Sequence, residues 1–223
     1  MILSASMPMT SSVSVILSSS FIPPIPTGAQ LSAILIVISF SAGLNVYATV
    51  AMLGLLTRAS LLTLPPALHP VASWYVIAAC AVLFGVEFIG DKVPVFDILW
   101  NALHTFVRIP VAALLTYEST AQLPEWQRLL ATALGTLIAL LAHGGKTAAR
   151  AAAAPSPEPF SNAALSLSED AIVVFLMWFA TRHAYISASI VIVMLAIIIV
   201  MIRVVLRALG NLFRGAEGAL AGS

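Results

Sequence analysis

The run SIVIVMLAIIIVMI, residues 189–202, is the most hydrophobic part of the chain and decides its fold class. It lies inside a longer apolar run over residues 184–208. A helix needs about 20 apolar residues to cross a hydrocarbon core about 30 Å thick, and this run is long enough. The sequence therefore predicts a membrane-spanning helix here, and the rest of the chain can be compared with it.

The composition of the whole chain agrees with a membrane protein. Hydrophobic residues make up 61% of the sequence, charged residues only 9%, and the mean hydropathy is +1.05. Soluble domains carry about 25% charged residues, so this chain could not cover a water-exposed surface. The net charge of +1 gives no reason to expect a nucleic-acid partner. The single cysteine, Cys80, excludes an intramolecular disulfide.

Six apolar runs are long enough to cross a membrane, and only helices or closed barrels can do so. Barrel strands alternate polar and apolar residues, which these runs do not. We therefore predict an all-α, polytopic transmembrane helix bundle with about six spanning segments. The runs cover residues 30–57, 68–89, 94–117, 125–143, 161–181 and 184–208. Residues 1–29 are predicted to be a poorly ordered extension, 30–208 the transmembrane helical domain, and 209–223 a cytoplasmic tail.

Orientation is predicted from the basic residues that flank the runs, because cytoplasmic loops are enriched in Lys and Arg. One side holds six and the other three, which predicts a multi-pass protein of the cell inner membrane with both termini in the cytoplasm. The fourth run closes at His143-Gly144-Gly145, so Gly144–Lys146 is read as a cytoplasmic turn and His143 as interfacial. The larger group is Lys92, Lys146, Arg150, Arg203, Arg207 and Arg214, and the smaller is Arg58, Arg128 and Arg182.

A polar stripe follows the third run. Asp97, Asn101, His104 and Arg108 are spaced by four, three and four residues, which places them on one face of a helix. A centrally placed Asp or Arg costs about 2.5–3.5 kcal/mol to insert, so such a stripe has to face a polar interior or its own partners. The stripe is therefore our first candidate site.

The fifth run carries a second stripe with the same spacing. Asn162, Ser166 and Glu169 repeat the step of four and then three, with Asp170 adjacent. Overlaying Asp97 on Asn162 aligns the two stripes and suggests an internal two-helix repeat. Repeats that meet at a central polar site are common in transporters. We predict a polar site between the third and fifth helices.

Three other polar residues lie in or next to apolar sequence, and the pattern allows two interpretations of each. Asn45, in the first run, is either a ligand or part of the interhelical hydrogen bonding that Ser41 and Thr49 would also supply. Glu87 and Asp91 are four residues apart, so they either share a cation or a proton or lie at a solvated turn.

Two members of the first stripe also have more than one possible role. His104 is a proton carrier, a metal ligand or a hydrogen-bonded core residue. Arg108 either receives an anionic substrate or neutralises Asp97 or Glu169. No Ser-His-Asp order, HExxH, CxxC or DxxD pattern occurs, which weighs against an enzyme, and no cofactor is predicted.

Three blocks of the chain resemble the bacterial membrane family called domain of unknown function 4126. The blocks are SAGLNVYATVAMLGLLTR (41–58), GVEFIGDKVPVFDILWNALHTFVRIP (85–110) and LAHGGKTAARAAAAPSPEPFSNAALSLSEDA (141–171). The likeness covers residues 38–205. It implies a helical membrane fold and carries over no activity.

A partial likeness joins residues 87–92 to the Glu-x-Gly-Asp-Lys signature of small manganese and calcium transporters, which have duplicated three-helix halves. The stretch Glu-Phe-Ile-Gly-Asp-Lys here is one residue longer, and Val93 stands where that signature has Thr or Ser. The second copy would be the stretch at residues 143–146, His-Gly-Gly-Lys, which lacks the acids.

Three functions follow from these patterns. The first is a small membrane transporter or channel for a cation, a proton or a small polar solute. The second is a non-transporting scaffold or assembly protein whose stripes only fix helix packing. The third is an intramembrane lipid-modifying enzyme. The expected partners are the lipid bilayer, a small cation or polar solute, and further copies of the chain in a homo-oligomer.

Overall fold

The chain is all-α, as predicted. The computed structural model describes the backbone of residues 28–90, 94–153 and 159–221, and the side chains of 28–90, 103–150, 163–208 and 210–211. No strand occurs within those backbone ranges. The helices are α1 Gly28–Leu44, α2 Val46–Arg58, α3 Trp74–Gly90, α4 Pro94–Ser119, α5 Glu125–Ala153, α6 Pro159–Ala180 and α7 Ala184–Ala221, with a 3₁₀ helix at Pro66–Ala72 before α3.

The first apolar run is broken in two at Asn45, which lies between α1 and α2 in an extended conformation (φ −148°, ψ 105°). Ile34 and Leu62 line one small cavity. If α1 and α2 ran in line, these residues would be about 42 Å apart at 1.5 Å per residue. The chain therefore reverses direction, and the two helices form a V with Asn45 at its apex. The prediction that residues 30–57 form one continuous span is wrong.

The remaining helices alternate in direction. The Arg58 guanidinium lies 4.3 Å from the ring centroid of Trp74, so α3 starts beside the end of α2. Arg128 lies 3.3 Å over the ring of Tyr117, so α4 ends where α5 begins. We call the end of the bundle that holds Gln30, Thr63 and Arg182 the hairpin end, and the opposite end the far end. Helices α3, α5 and α7 run toward the far end, and α4 and α6 run back.

Helix α1 lies at the centre of the bundle and contacts α4, α5, α6 and α7. Its approach to α5 requires a glycine, because a Cβ on Gly43 would lie 2.8 Å from both Ala139 Cα and Ala142 Cβ. Small residues allow helix backbones to come close in membrane proteins. Ser39 and Thr116 add an interhelical hydrogen bond of 3.2 Å between α1 and α4.

The outer surface of the bundle is apolar. Side chains on the outer face of α7 are more than half exposed, including Ile192, Ile197 and Val200. Among the described residues, three helices are long and apolar enough to cross a membrane: Glu125–Arg150, Ala163–Ala180 and Ala184–Ala208. The 3₁₀ helix and α3 form a fourth candidate, bent by 61°. Six spans are not confirmed. The internal repeat also stays a prediction.

One prediction about the end of a helix is corrected. Gly144–Lys146 is not a turn, because α5 continues through these residues to Ala153, and Lys146 is only 3% exposed. Gln30 and the start of α7 line one cavity, whereas the last part of α7 lies at the far end. The start of α1 and the end of α7 are thus at opposite ends of the bundle. The orientation of the termini stays a prediction, since residues 1–27 lie outside the described part.

The predicted domain boundaries stay a prediction. Helix α1 begins at Gly28, and residues 1–27 lie outside the described part. Helix α7 continues as helix beyond residue 208 to Ala221.

Candidate functional site

An ion pair between α3 and α4 lies inside the bundle. Glu87 Oε1 accepts a hydrogen bond from Arg108 Nη2, and the side chains are 1% and 0% exposed. Glu87 is three residues from the end of α3, and Arg108 lies mid-way along α4. A buried pair of this kind strongly constrains both helices, since removing one partner leaves an uncompensated charge.

A histidine of α5 continues this contact. The Arg108 Nη1 lies 3.1 Å from His143 Nδ1, and Thr105 Oγ1 lies 2.7 Å from His143 Nε2. Because Arg108 can only donate, Nδ1 is the accepting nitrogen, and Nε2 then carries the proton and donates to Thr105. Hydrogen bonding thus assigns His143 as neutral in this arrangement.

The next turns of α5 supply two cations that join α3 to α6. Lys146 Nζ lies 3.4 Å from Glu87 Oε1 and 3.0 Å from Glu169 Oε2. Arg150 Nη2 lies 3.5 Å from the same Glu169 oxygen. Lys146 therefore bridges two carboxylates that belong to different helices.

The apex of the V contacts α6. Asn45 uses its Oδ1 to accept from the Ala48 amide at 3.0 Å, which caps α2, and its Nδ2 to donate to Asp170 Oδ1 at 2.9 Å. Thr49 donates to the Asn45 carbonyl at 2.7 Å. The first turn of α2 therefore lies close to the Asp170 carboxylate. Asn45 is thus both a helix cap and a partner of an acid inside the membrane bundle.

The apex also contacts α4. The Tyr47 hydroxyl lies 2.9 Å from His104 Nε2, and the two rings meet edge to face with centroids 5.4 Å apart. His104 is 4% exposed. The apex therefore has one polar contact with each of the two predicted stripes, through Tyr47 to α4 and through Asn45 to α6.

These contacts form one region that we call the buried network. Among the residues whose side chains the structure describes, it holds three acids and three bases: Glu87, Glu169 and Asp170, and Arg108, Lys146 and Arg150. Two carboxylate oxygens, Glu87 Oε2 and Asp170 Oδ2, are buried without a hydrogen-bond partner among the described residues. Such atoms are sites where a proton or a water can bind. The remaining members are Asn45, Tyr47, His104, Thr105 and His143.

The structure brings together six of the ten predicted site residues, all of them in the buried network: Asn45, Glu87, His104, Arg108, Glu169 and Asp170. Asp91 lies outside the described residues, as do the side chains of Asp97, Asn101 and Asn162. Arg108 pairs with Glu87. Of the two acids considered for it from the sequence, Glu169 pairs instead with Lys146 and Arg150, and the side chain of Asp97 lies outside the described residues. Thr49 bonds its own helix and does not join two helices.

A third helix, α5, takes part in the site that the sequence placed between the third and fifth runs. Helix α5 contacts both α4 and α6, and among the described residues its side chains connect them. His143, buried at 7% exposure, is not interfacial. His143, Lys146 and Arg150 are spaced by three and four residues, the same stripe signal as in the other helices. Because the two glycines at 144–145 indicated a turn, this stripe was not predicted from the sequence.

The chemistry available to this region is proton and ion-pair chemistry. Among the described residues, no group of three or more His, Cys, Asp or Glu side chains could hold a metal ion. The side chains instead form short polar contacts between acids, bases and neutral histidines. An arrangement of this kind can pass protons between neighbouring groups, or it can hold helices in register.

The comparisons with known proteins give one match. A family model described as a domain of unknown function (DUF4126) matches residues 33–204. No curated protein matches the chain, and no solved structure does.

Proposed function

The chain belongs to the DUF4126 family, which implies no activity. We propose that it is a small integral membrane transporter that carries a proton, or another small cation, through the buried network. The transporter likeness to the manganese and calcium family is not needed for this proposal. The observation that supports the proposal is the hydrogen bond between Asn45 and Asp170 at the apex of the V.

This contact supports transport because it joins a broken helix to a buried acid. In many transporters, helices interrupted within the membrane present their ends to the ion or substrate. Here the start of α2 faces Asp170, and one oxygen of that carboxylate, Oδ2, has no hydrogen-bond partner among the described residues. An acid placed in this way can accept and release a proton without a large change in packing.

Proton transport suits the network better than transport of a larger solute. The side chains touch one another at hydrogen-bond distance, from Thr105 through His143 and Arg108 to Glu87. Lys146 extends the contacts to Glu169. Arg108 stays protonated and would only hold His143 and Glu87 in place. A proton would bind to the carboxylates of the network and pass between them and Lys146 through small side-chain motions, whereas a solute would need a channel of its own width.

The experiment is proton flux into liposomes that contain the purified protein and an enclosed pH-sensitive dye. A potassium gradient with valinomycin supplies the driving potential. We expect the wild type to acidify the lumen faster than empty liposomes, and Asp170→Asn and Glu169→Gln to abolish the difference. Glu118→Gln is the matched control, because Glu118 is an acid at the hairpin end that pairs with Arg128 at 3.4 Å. Equal flux in wild-type and empty liposomes would reject the proposal.

One observation favours a second function, a non-transporting scaffold. Each described acid of the network lies against a basic or amide side chain, and direct contacts join α3, α4, α5 and α6. Such pairing can fix helix packing with no transported ion. The scaffold predicts that Asp170→Asn lowers thermal stability and dissociates an oligomer while wild-type liposomes show no flux.

The location follows from the same features. We place the protein in the cell inner membrane, with the lipid bilayer around its apolar surface and further copies of the chain as a partner. Because Lys146 and Arg150 belong to the network, they no longer count as loop charges. The basic residues then divide four against three in favour of the far end, so we place the end of α7 in the cytoplasm.

A further inference from the structure

A cavity of about 310 Å³ opens at the hairpin end, remote from the buried network. It lies between the arms of the V on one side and the loop that joins α6 to α7 on the other, with Gln30, Leu62 and Arg182 among its lining residues. A volume of this size holds about ten waters at roughly 30 Å³ each, and falls within the range of small-ligand sites.

Arg182 lines the cavity with its charge exposed, and the His183 imidazole lies beside it. Among the described lining residues there is no carboxylate. Within the described part of the chain, the Arg182 guanidinium has no ion pair or hydrogen bond. By contrast, Arg128 at the same end of the bundle is held by Glu118, and Arg58 lies over Trp74. The described lining therefore offers a positive charge that no acid of the cavity offsets.

Backbone donors add to this charge. Helix α7 begins at Ala184, and its first three residues, 184–186, line the cavity. The first helical bond in this turn runs from the Ser187 amide to the His183 carbonyl at 2.9 Å, so the three preceding amides have no acceptor within the helix. Arginine beside free helix amides is a combination that binds phosphate oxygens.

The floor of the cavity is apolar. Ile34, Leu62 and Ala180 line it and also line a second, smaller cavity directly beneath. The mouth lies where the candidate spans Ala163–Ala180 and Ala184–Ala208 end, which is the level of lipid headgroups. Tyr185 at the rim is 54% exposed, as expected for an aromatic residue at the interface. A basic mouth above an apolar floor fits an amphiphile.

We propose that this cavity is a binding site for the phosphodiester headgroup of an anionic membrane lipid. The phosphate would contact Arg182 and the first amides of α7, and the first methylenes of the acyl chains would lie over Ile34 and Leu62. A free phosphate ion offers the same charge but no apolar part, so it leaves the floor uncovered. The site is separate from the buried network and does not depend on transport.

The test is thermal unfolding of the purified protein in neutral detergent with phosphatidylglycerol, phosphatidylcholine or inorganic phosphate. We expect phosphatidylglycerol alone to raise the melting temperature, and Arg182→Gln to weaken apparent lipid affinity about tenfold or more, since a charge-assisted contact to phosphate is lost. Arg207→Gln is the control, because it removes the same charge from an exposed position near the far end.

Native mass spectrometry of the same samples counts the lipid molecules retained, so a change in folding is not mistaken for a change in binding. The proposal is overturned if Arg182→Gln retains the lipid as the wild type does, or if phosphatidylcholine stabilises equally. It is also overturned if inorganic phosphate alone reproduces the whole shift, since the ligand would then be a free anion.

Discussion

Asn45 and Asp170 are 125 residues apart in the sequence, and a hydrogen bond of 2.9 Å joins them inside the bundle. Asn45 lies at the apex of the V, and Asp170 lies mid-way along α6. The bond connects the break between α1 and α2 to an acid whose burial costs free energy. The position of the break and the position of the acid are therefore parts of one arrangement.

Substitutions of Asn45 separate its two contacts. Asn45→Ala removes the cap of α2, worth about 1 kcal/mol, and the donor to a buried carboxylate, worth about 1–3 kcal/mol. Asn45→Ser keeps a capping hydroxyl but is too short to reach Asp170. We expect melting temperature in detergent to fall in the order wild type, Ser, Ala. Ser32→Ala, an exposed α1 residue, is the control. Equal stability of the Ser and Ala variants would show that the cap contributes nothing.

A second prediction concerns the ion pair of Glu87 and Arg108. Replacing one member, in Glu87→Gln or Arg108→Met, leaves the other charge buried, which costs about 3–5 kcal/mol. The double variant removes both charges and leaves Lys146 with Glu169 as its remaining acid partner at 3.0 Å. We expect the double variant to lose less stability than the sum of the two single losses in a double-mutant cycle. Strict additivity would mean that the two side chains do not interact.

Two glycines allow a matched test of the packing of α1 against α5. A methyl group at Gly43 would lie 2.8 Å from Ala139 Cα, so Gly43→Ala has to push the helices apart, at a cost of about 1–3 kcal/mol. Gly85, within α3, has nothing within 4 Å of the same position. Gly85→Ala should leave the melting temperature unchanged or raise it, by up to about 1 kcal/mol of helix stability. If both variants behave alike, the close contact at Gly43 is not real.

The sequence was sufficient for the fold class but not for the first element. Apolar length predicts helices, and a run such as residues 189–202 has no other stable form in lipid. However, residues 30–57 are equally apolar whether the chain crosses the membrane or turns back within it. The difference depends on whether Asn45 finds a partner, and that partner, Asp170, lies on a helix that the local sequence does not specify.

The buried network was predicted in part for the same reason. Helical spacing identified His104, Arg108 and Glu169, because a polar stripe in an apolar helix is visible in one segment alone. The pairing of these residues is a property of the assembled bundle, and the sequence did not identify Glu87 as a partner of Arg108. Lys146 was missed because a pair of glycines commonly marks a turn, whereas here Gly145 lets Ile198 of α7 pack against α5.

The V between α1 and α2 predicts a specific topology. If the chain turns back at Asn45, Ser32 near the start of α1 and Thr63 after α2 lie on the same side of the membrane, and Arg207 of α7 lies on the other. All three residues are exposed. A continuous first span would instead place Ser32 on the opposite side from Thr63.

Single cysteines at these positions, in a Cys80→Ala background, distinguish the two topologies. A membrane-impermeant maleimide is added to sealed vesicles of each orientation, and labelling is compared before and after the membrane is opened with detergent. We expect Ser32→Cys and Thr63→Cys to be labelled from one side, and Arg207→Cys from the other. Labelling of Ser32→Cys together with Arg207→Cys would contradict the V and restore a continuous first span. Because the proposed lipid site lies between the arms of the V, the same result would also remove one wall of that cavity.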